Sequence, residues 1–234
     1  VQQFANNFQT AINPQITKSY ASNDFAYMHS LICKGAKFSF FMVFLLSLPF
    51  LVMADQTLSL WLKTPPAYAA GFLKIILIVS MIDSLANPLN NAVNASGKIR
   101  SYQLTNGLLM LLVLPVGYLA LKVDLNPKLV FICQLVMTVC ALFLKLFFAK
   151  RRTRLSLGLY VKKVLYPVML VAIISPILPN LMYTYMESNV KSFVVTGLLC
   201  LFSTSTVIYL LGLEKSEKVV IISKLTSLVY KIHL

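Results

Sequence analysis

The stretch YAAGFLKIILIVSMIDSLANPLNNAVN, residues 68–94, decides the fold. Its first half is apolar except for Lys74, and 68–91 is long enough to cross a hydrocarbon core of about 30 Å as a helix. Five more runs of similar character flank it, at 38–54, 104–121, 129–149, 164–186 and 192–213. The runs are continuous rather than alternating, so they read as helices and not as barrel strands. The expected fold class is therefore all-α: a polytopic membrane helix bundle of six full spans.

The connecting segments carry their charge unevenly. Residues 18–37 hold Lys18, Lys34 and Lys37; 95–103 hold Lys98 and Arg100; 150–163 hold Lys150, Arg151, Arg152, Arg154, Lys162 and Lys163; and the tail holds Lys215, Lys218, Lys224 and Lys231. The intervening loops have only Lys63, Lys122, Lys128 and Lys191, beside Asp55, Asp124 and Glu187. Fifteen basic residues thus alternate with four, which orients the chain with 18–37, 95–103, 150–163 and the tail in the cytoplasm. The net charge of +14 is explained by this topogenic charge lying beside anionic headgroups, so membrane lipids are expected partners. Nucleic acid is not, because no basic run is interleaved with aromatics on a soluble domain.

Composition excludes more. At 58% hydrophobic and 12% charged residues, and with short loops, the chain leaves no room for an extramembrane catalytic domain. Cys33, Cys133, Cys140 and Cys200 show no metal-ligand spacing and read as small packing residues. His29 and His233 read as surface residues of polar segments. No phosphate-binding glycine loop, nucleophile elbow or dinucleotide turn is present, so neither enzyme activity nor a metal or cofactor is expected.

Residues 1–20 read as a partial helix. Phe4, Phe8, Ile12 and Ile16 form one stripe, and Gln2, Asn6, Gln9, Asn13 and Thr17 a second. Such a helix has lipid on one side and water or protein on the other, so the chain is expected to be about half of a larger bundle. A peripheral helix lying in the membrane interface is the alternative.

The second half of the opening stretch carries the functional signal. Ser80, Asp83, Ser84, Asn87, Asn90, Asn91 and Asn94 fall within roughly 120° of arc at about 100° per residue. A carboxylate at mid-depth costs about 2.5–3.5 kcal/mol on insertion scales, so this face must avoid acyl chains. Two readings stand. The stripe lines a hydrated cavity whose amides serve a polyhydroxylated substrate, or its side chains bond neighbouring helices at about 0.6 kcal/mol each. Pro88 is expected to interrupt the helix, as in the broken helices of transporters. Lys74 and Lys145 read as snorkelling cations. That leaves Asp83 as an isolated intramembrane acid and a candidate ion site. Pro115 and Gly117 mark 104–121 as bent, Pro167, Pro176 and Pro179 kink 164–186, and Ser203–Thr206 are as ready to bond their own backbone as a ligand.

The run Asn7-Phe8-Gln9-Thr10-Ala11-Ile12-Asn13-Pro14-Gln15-Ile16-Thr17-Lys18-Ser19-Tyr20 resembles a signature in the second half of bacterial polysaccharide flippases. Leu60-Trp61-Leu62 with Pro66-x-Tyr68-Ala69, and Pro88-Leu89 with Gly97-Lys98-Ile99-x-Ser101-Tyr102, extend the likeness over about residues 1–150. Together they resemble the O-antigen and capsule repeat-unit flippases of the multidrug/oligosaccharidyl-lipid/polysaccharide exporter superfamily. The resemblance implies two bundles of six helices. They move an undecaprenyl-pyrophosphate-linked oligosaccharide across the bacterial inner membrane by alternating access, for surface polysaccharide biosynthesis. On it, 1–150 is the C-terminal lobe, 151–234 is an appended pair of helices with a cytoplasmic tail, and the missing N-terminal lobe is a partner. Substrate would meet Asp83, Ser80, Ser84, Asn87, Asn90, Asn91 and Asn94, together with Asn6, Gln9 and Asn13. Cations to hold the pyrophosphate are not evident in the sequence and are expected in the N-terminal lobe. A cation-coupled multidrug exporter of the same superfamily is the alternative; a membrane polysaccharide polymerase fits worse, since no long outer loop is present.

Overall fold

The computed structural model of the chain describes residues 2–62, 64–185 and 190–219. All regular structure among them is helical. In order the elements are α1 (Gln2–Ala21), α2 (Phe25–Val52), α3 (Ala54–Trp61), α4 (Ala69–Ala95), α5 (Arg100–Leu111), α6 (Val113–Val123), α7 (Lys128–Thr153), α8 (Leu157–Tyr160), a π-helical turn (Val161–Leu165), α9 (Tyr166–Ile174), α10 (Ile177–Tyr185), α11 (Val190–Val207) and a second π-helical turn (Ile208–Gly212). Among the described residues, six helical segments are long and apolar enough to cross a membrane. The chain is a polytopic helical membrane protein.

Helix α4 sits at the centre, packed along α7, α2 and α1, while α9 and α11 lie against α2. The core runs between them through Ile16, Met28, Ile32, Phe44, Leu48, Leu89, Val93 and Val164. Where α2 passes α4 the backbones come close: a Cβ on Gly35 would lie 3.5 Å from the Pro88 ring. Contacts between chain ends define two poles. At one, His29 Nε2 lies 2.8 Å from the Thr153 carbonyl and Arg154 lies over the Phe25 ring. At the other, Lys74 lies 3.9 Å from Asp55, and Phe72 stacks on Phe131 with centroids 4.4 Å apart. The first is the basic pole, because the turns 96–99 and 154–156 and the residues after α11 gather there with their lysines and arginines.

The helices reach further into the polar segments than hydropathy suggests. Residues 18–37 are not a loop. Only 22–24 turn, and α2 begins at Phe25, where the Asp24 side chain caps it by accepting from the Tyr27 N–H at 3.0 Å. Likewise α5 starts at Arg100, and α7 runs on to Thr153 before Arg154 stops it in the left-handed region at φ 57°. Lysines at such ends keep a helix polar without ending it. Nor is His29 a free surface residue, since its ring is bound to the end of α7. Lys63, Glu187, Lys224, Lys231 and His233 lie outside the described residues.

Prolines act differently in different spans. The third span breaks at Leu112, and Pro115 deprives the carbonyl four residues back, on Leu111, of its donor. The fifth breaks at Ser175–Pro176, and Pro179 does the same to the Ser175 carbonyl. That carbonyl accepts the Ser203 hydroxyl from α11 at 2.9 Å. Ser203 thus bonds across helices, whereas Thr204 and Thr206 return to their own backbone. Pro88 leaves α4 unbroken from Ala69 to Ala95, contrary to expectation.

One buried ion pair holds the segment after α11. Lys37 lies twelve residues into α2, about 18 Å along it. Its Nζ meets Glu217 Oε2 at 2.5 Å, with the two side chains 3% and 6% exposed. The same carboxylate oxygen accepts the Glu214 N–H at 2.9 Å. Removing one partner strands a buried charge, so Glu217→Gln is expected to lower stability by about 3–5 kcal/mol. Thermal unfolding in detergent measures this, and Lys37→Met with Glu217→Leu should recover most of the loss.

Candidate functional site

Pro88 is where the functional stripe becomes three-dimensional. Its ring nitrogen carries no hydrogen, so the Ser84 carbonyl loses its helical donor. The Gln9 side-chain amide takes that carbonyl at 3.2 Å and also donates to Ser39 Oγ at 2.9 Å. One glutamine thus ties α1, α2 and α4 inside the core. The next carbonyl, on Leu85, accepts the buried Tyr160 hydroxyl at 3.0 Å, which joins α8 to the same place. In hydrocarbon a freed backbone group needs such a partner, and here the Gln9 side chain supplies it to the Ser84 carbonyl.

A further contact joins α1 and α4. Asn91 Nδ2 donates to Asn13 Oδ1 at 2.5 Å, bridging them. A groove of about 480 Å³ follows, lined by Thr10, Asn13, Pro14, Thr17, Asn91 and Asn94. The two threonine hydroxyls are turned back to backbone carbonyls, Thr10 to Asn6 at 2.8 Å and Thr17 to Asn13 at 3.3 Å. The Asn91–Asn13 bond uses one donor and one acceptor lone pair. The remaining amide capacity of Asn13 and Asn91, with all of Asn94, faces the groove. No carboxylate lines it.

The 120° arc therefore does not act as one surface. Asn13, Asn91 and Asn94 meet in the groove. Gln9 and Ser84 are buried; both are tied in the knot, and the Ser84 hydroxyl donates to the Met81 carbonyl at 2.6 Å. Asn90 points to α5, where it accepts from the buried Tyr102 hydroxyl at 2.9 Å. Ser80 and Asn87 are half-buried, and Asn6 is exposed on α1 away from the groove lining. Gln9 and Asn90 thus bond neighbouring helices, whereas Asn13, Asn91 and Asn94 line the groove.

Asp83 is not isolated. It is half-buried on α4, and the charge acting on it is Lys145 of α7. Lys145 is 8% exposed, so it does not snorkel to headgroups. Among the described residues the two do not close to within 4.0 Å as an ion pair. Lys74, by contrast, is half-exposed at the opposite pole near Asp55. Sequence reading missed the Lys145 and Lys37 partnerships. Lys145 carried one signal: a lone cation within an otherwise apolar run on a second helix.

A model of the MatE family matches residues 2–119, which takes in α1, the Gln9 bonds to Ser39 and Ser84, the groove and all but the end of α6. The chain belongs to the MatE family. MatE proteins are membrane transporters of the multidrug/oligosaccharidyl-lipid/polysaccharide exporter superfamily, not enzymes. No curated protein and no solved structure matches this MatE chain. The groove and the Gln9 bonds to Ser39 and Ser84 lie within the matched residues, whereas Tyr160, α7 with Lys145, and α8 to α11 lie beyond them.

If the Gln9 bond exists because Pro88 freed a carbonyl, the two residues are coupled. A double-mutant cycle of Gln9→Leu and Pro88→Ala is expected to show an interaction energy of about 0.6–1.7 kcal/mol. Asn94→Leu should change stability by less than about 0.5 kcal/mol. Chemical unfolding in mixed micelles measures both.

Proposed function

We propose that this chain forms one lobe of a transporter that moves a lipid-linked oligosaccharide from the cytoplasmic to the outer leaflet of a bacterial inner membrane. The basic pole then faces the cytoplasm. The supporting observation is the α1–α4 groove, about 480 Å³ with three asparagine amides and no acid. Amides donate and accept at once, which suits the hydroxyls of sugars and offers nothing to a lipophilic cation. The groove binds the glycan against a facing lobe, and rocking of the two lobes exposes it alternately to each side. No covalent step is needed. Residues 151–219 form the appended helices and the start of the tail.

A second reading is a cation-coupled multidrug exporter. It is favoured by the family match, which fits it at least as well, and by Asp83. In either case Asp83 and Lys145 form the charge couple through which an ion could act: a proton or sodium ion reaching the carboxylate would release Lys145 from its attraction.

The test is transport by the full-length protein in proteoliposomes. A fluorescent polyprenyl-diphosphate oligosaccharide is scored for leaflet exchange, and a lipophilic cationic dye for efflux. The flippase reading expects glycolipid exchange that falls at least about tenfold in Asn91→Leu/Asn94→Leu, with Asp83→Ala also impaired at wild-type protein levels. Dye efflux without glycolipid exchange overturns it in favour of the exporter.

A further inference from the structure

The basic pole carries a second site that the groove does not use. Between α4 and α5 the chain turns through Ser96–Ile99, with Gly97 at φ +69°, a conformation that L side chains rarely adopt. Helix α5 then starts at Arg100 with no side chain capping it. Its first bond is Gln103 N–H to the Ile99 carbonyl, so the N–H groups of Arg100, Ser101 and Tyr102 have no helical acceptor. Lys98, Arg100, Ser101 and Leu104 of this turn, with Arg152 from the end of α7, line a bowl of about 530 Å³.

Three features make it an anion site rather than a solvated edge. First, three cations from two separate elements converge on one concavity, and among the described residues none of them has an acidic partner. Second, the Arg152 Nε is buried and has no hydrogen-bond partner, although buried donors are nearly always satisfied. Third, the open end of a twelve-residue helix adds free N–H groups and its positive dipole end. Guanidinium forks, an ammonium, a hydroxyl and helix N–H groups together match the geometry and charge of phosphate oxygens. The bowl begins at Gly97, two residues beyond the end of α4, whose Asn94 lines the amide groove.

We propose that the α4–α5 turn and Arg152 bind a phosphate-bearing group, either a lipid headgroup or a soluble phosphate. This goes beyond the groove and does not rest on the flippase reading, because its test reads binding and not transport.

The experiment titrates inorganic pyrophosphate into the protein in phosphatidylcholine nanodiscs by calorimetry, then repeats it with phosphatidylglycerol added. Saturable binding is expected, weakened at least about tenfold by Arg152→Gln and by Lys98→Gln/Arg100→Gln. Lys122→Gln, which removes a cation remote from the bowl, should leave it unchanged. Suppression of the titration by phosphatidylglycerol assigns the bowl to lipid headgroups; persistence assigns it to soluble phosphates. No saturable binding and no enrichment of phosphatidylglycerol on the protein in native mass spectra overturns the site. So does an equal loss in Lys122→Gln, since that reports net charge alone. Circular dichroism and elution volume confirm that each variant is folded.

Discussion

A hydrogen bond that proline removes has to be replaced, and in hydrocarbon only the protein can replace it. At Pro88 the replacement comes from Gln9, which reaches the Ser84 carbonyl while holding Ser39. The helix stays unbroken because its lost donor is supplied from outside. The same logic recurs at Pro179, where the freed Ser175 carbonyl receives Ser203. These two bonds tie particular helices together: α1 to α4 in the first case, α11 to the α9–α10 break in the second. The amide groove lies between the same two helices, α1 and α4.

Charge inside the bundle obeys a similar rule. Lys37 and Glu217 are both buried and directly paired, whereas the half-buried Asp83 and the buried Lys145 do not close into a pair within 4.0 Å. A closed pair is a fixed structural tie, costly to break and weak as a switch. The structure thus divides its internal charges between a tie that docks the residues after α11 onto α2, and a couple that joins α4 of the matched region to α7.

The six spans, the helical class and the charge alternation were legible from composition and periodicity alone. The end of each helix was less so. The basic residues around 18–37 and 150–154 lie on helix ends, where long side chains reach water while the backbone remains helical. The polar arc of α4 was also visible, yet its division was not. Ser84, Asn90 and Asn91 lie within one arc, but their partners come from α4's own Met81, from Tyr102 and from Asn13. A helical wheel gives direction without neighbours.

What the sequence by itself determined is the solvent each segment must face. A run of apolar residues needs lipid or core, a cluster of amides and an acid must avoid lipid, and cations gather in alternate connecting segments. What only the tertiary structure decided is which polar groups are consumed by other polar groups. Gln9 and Asn13 sit four residues apart on one helix, and one closes a core knot while the other faces a groove. The physical reason is that hydrogen bonding is pairwise and short-ranged. Whether an amide is left free for a ligand depends on which helix lies within about 3 Å of it, and that is set by packing across the chain.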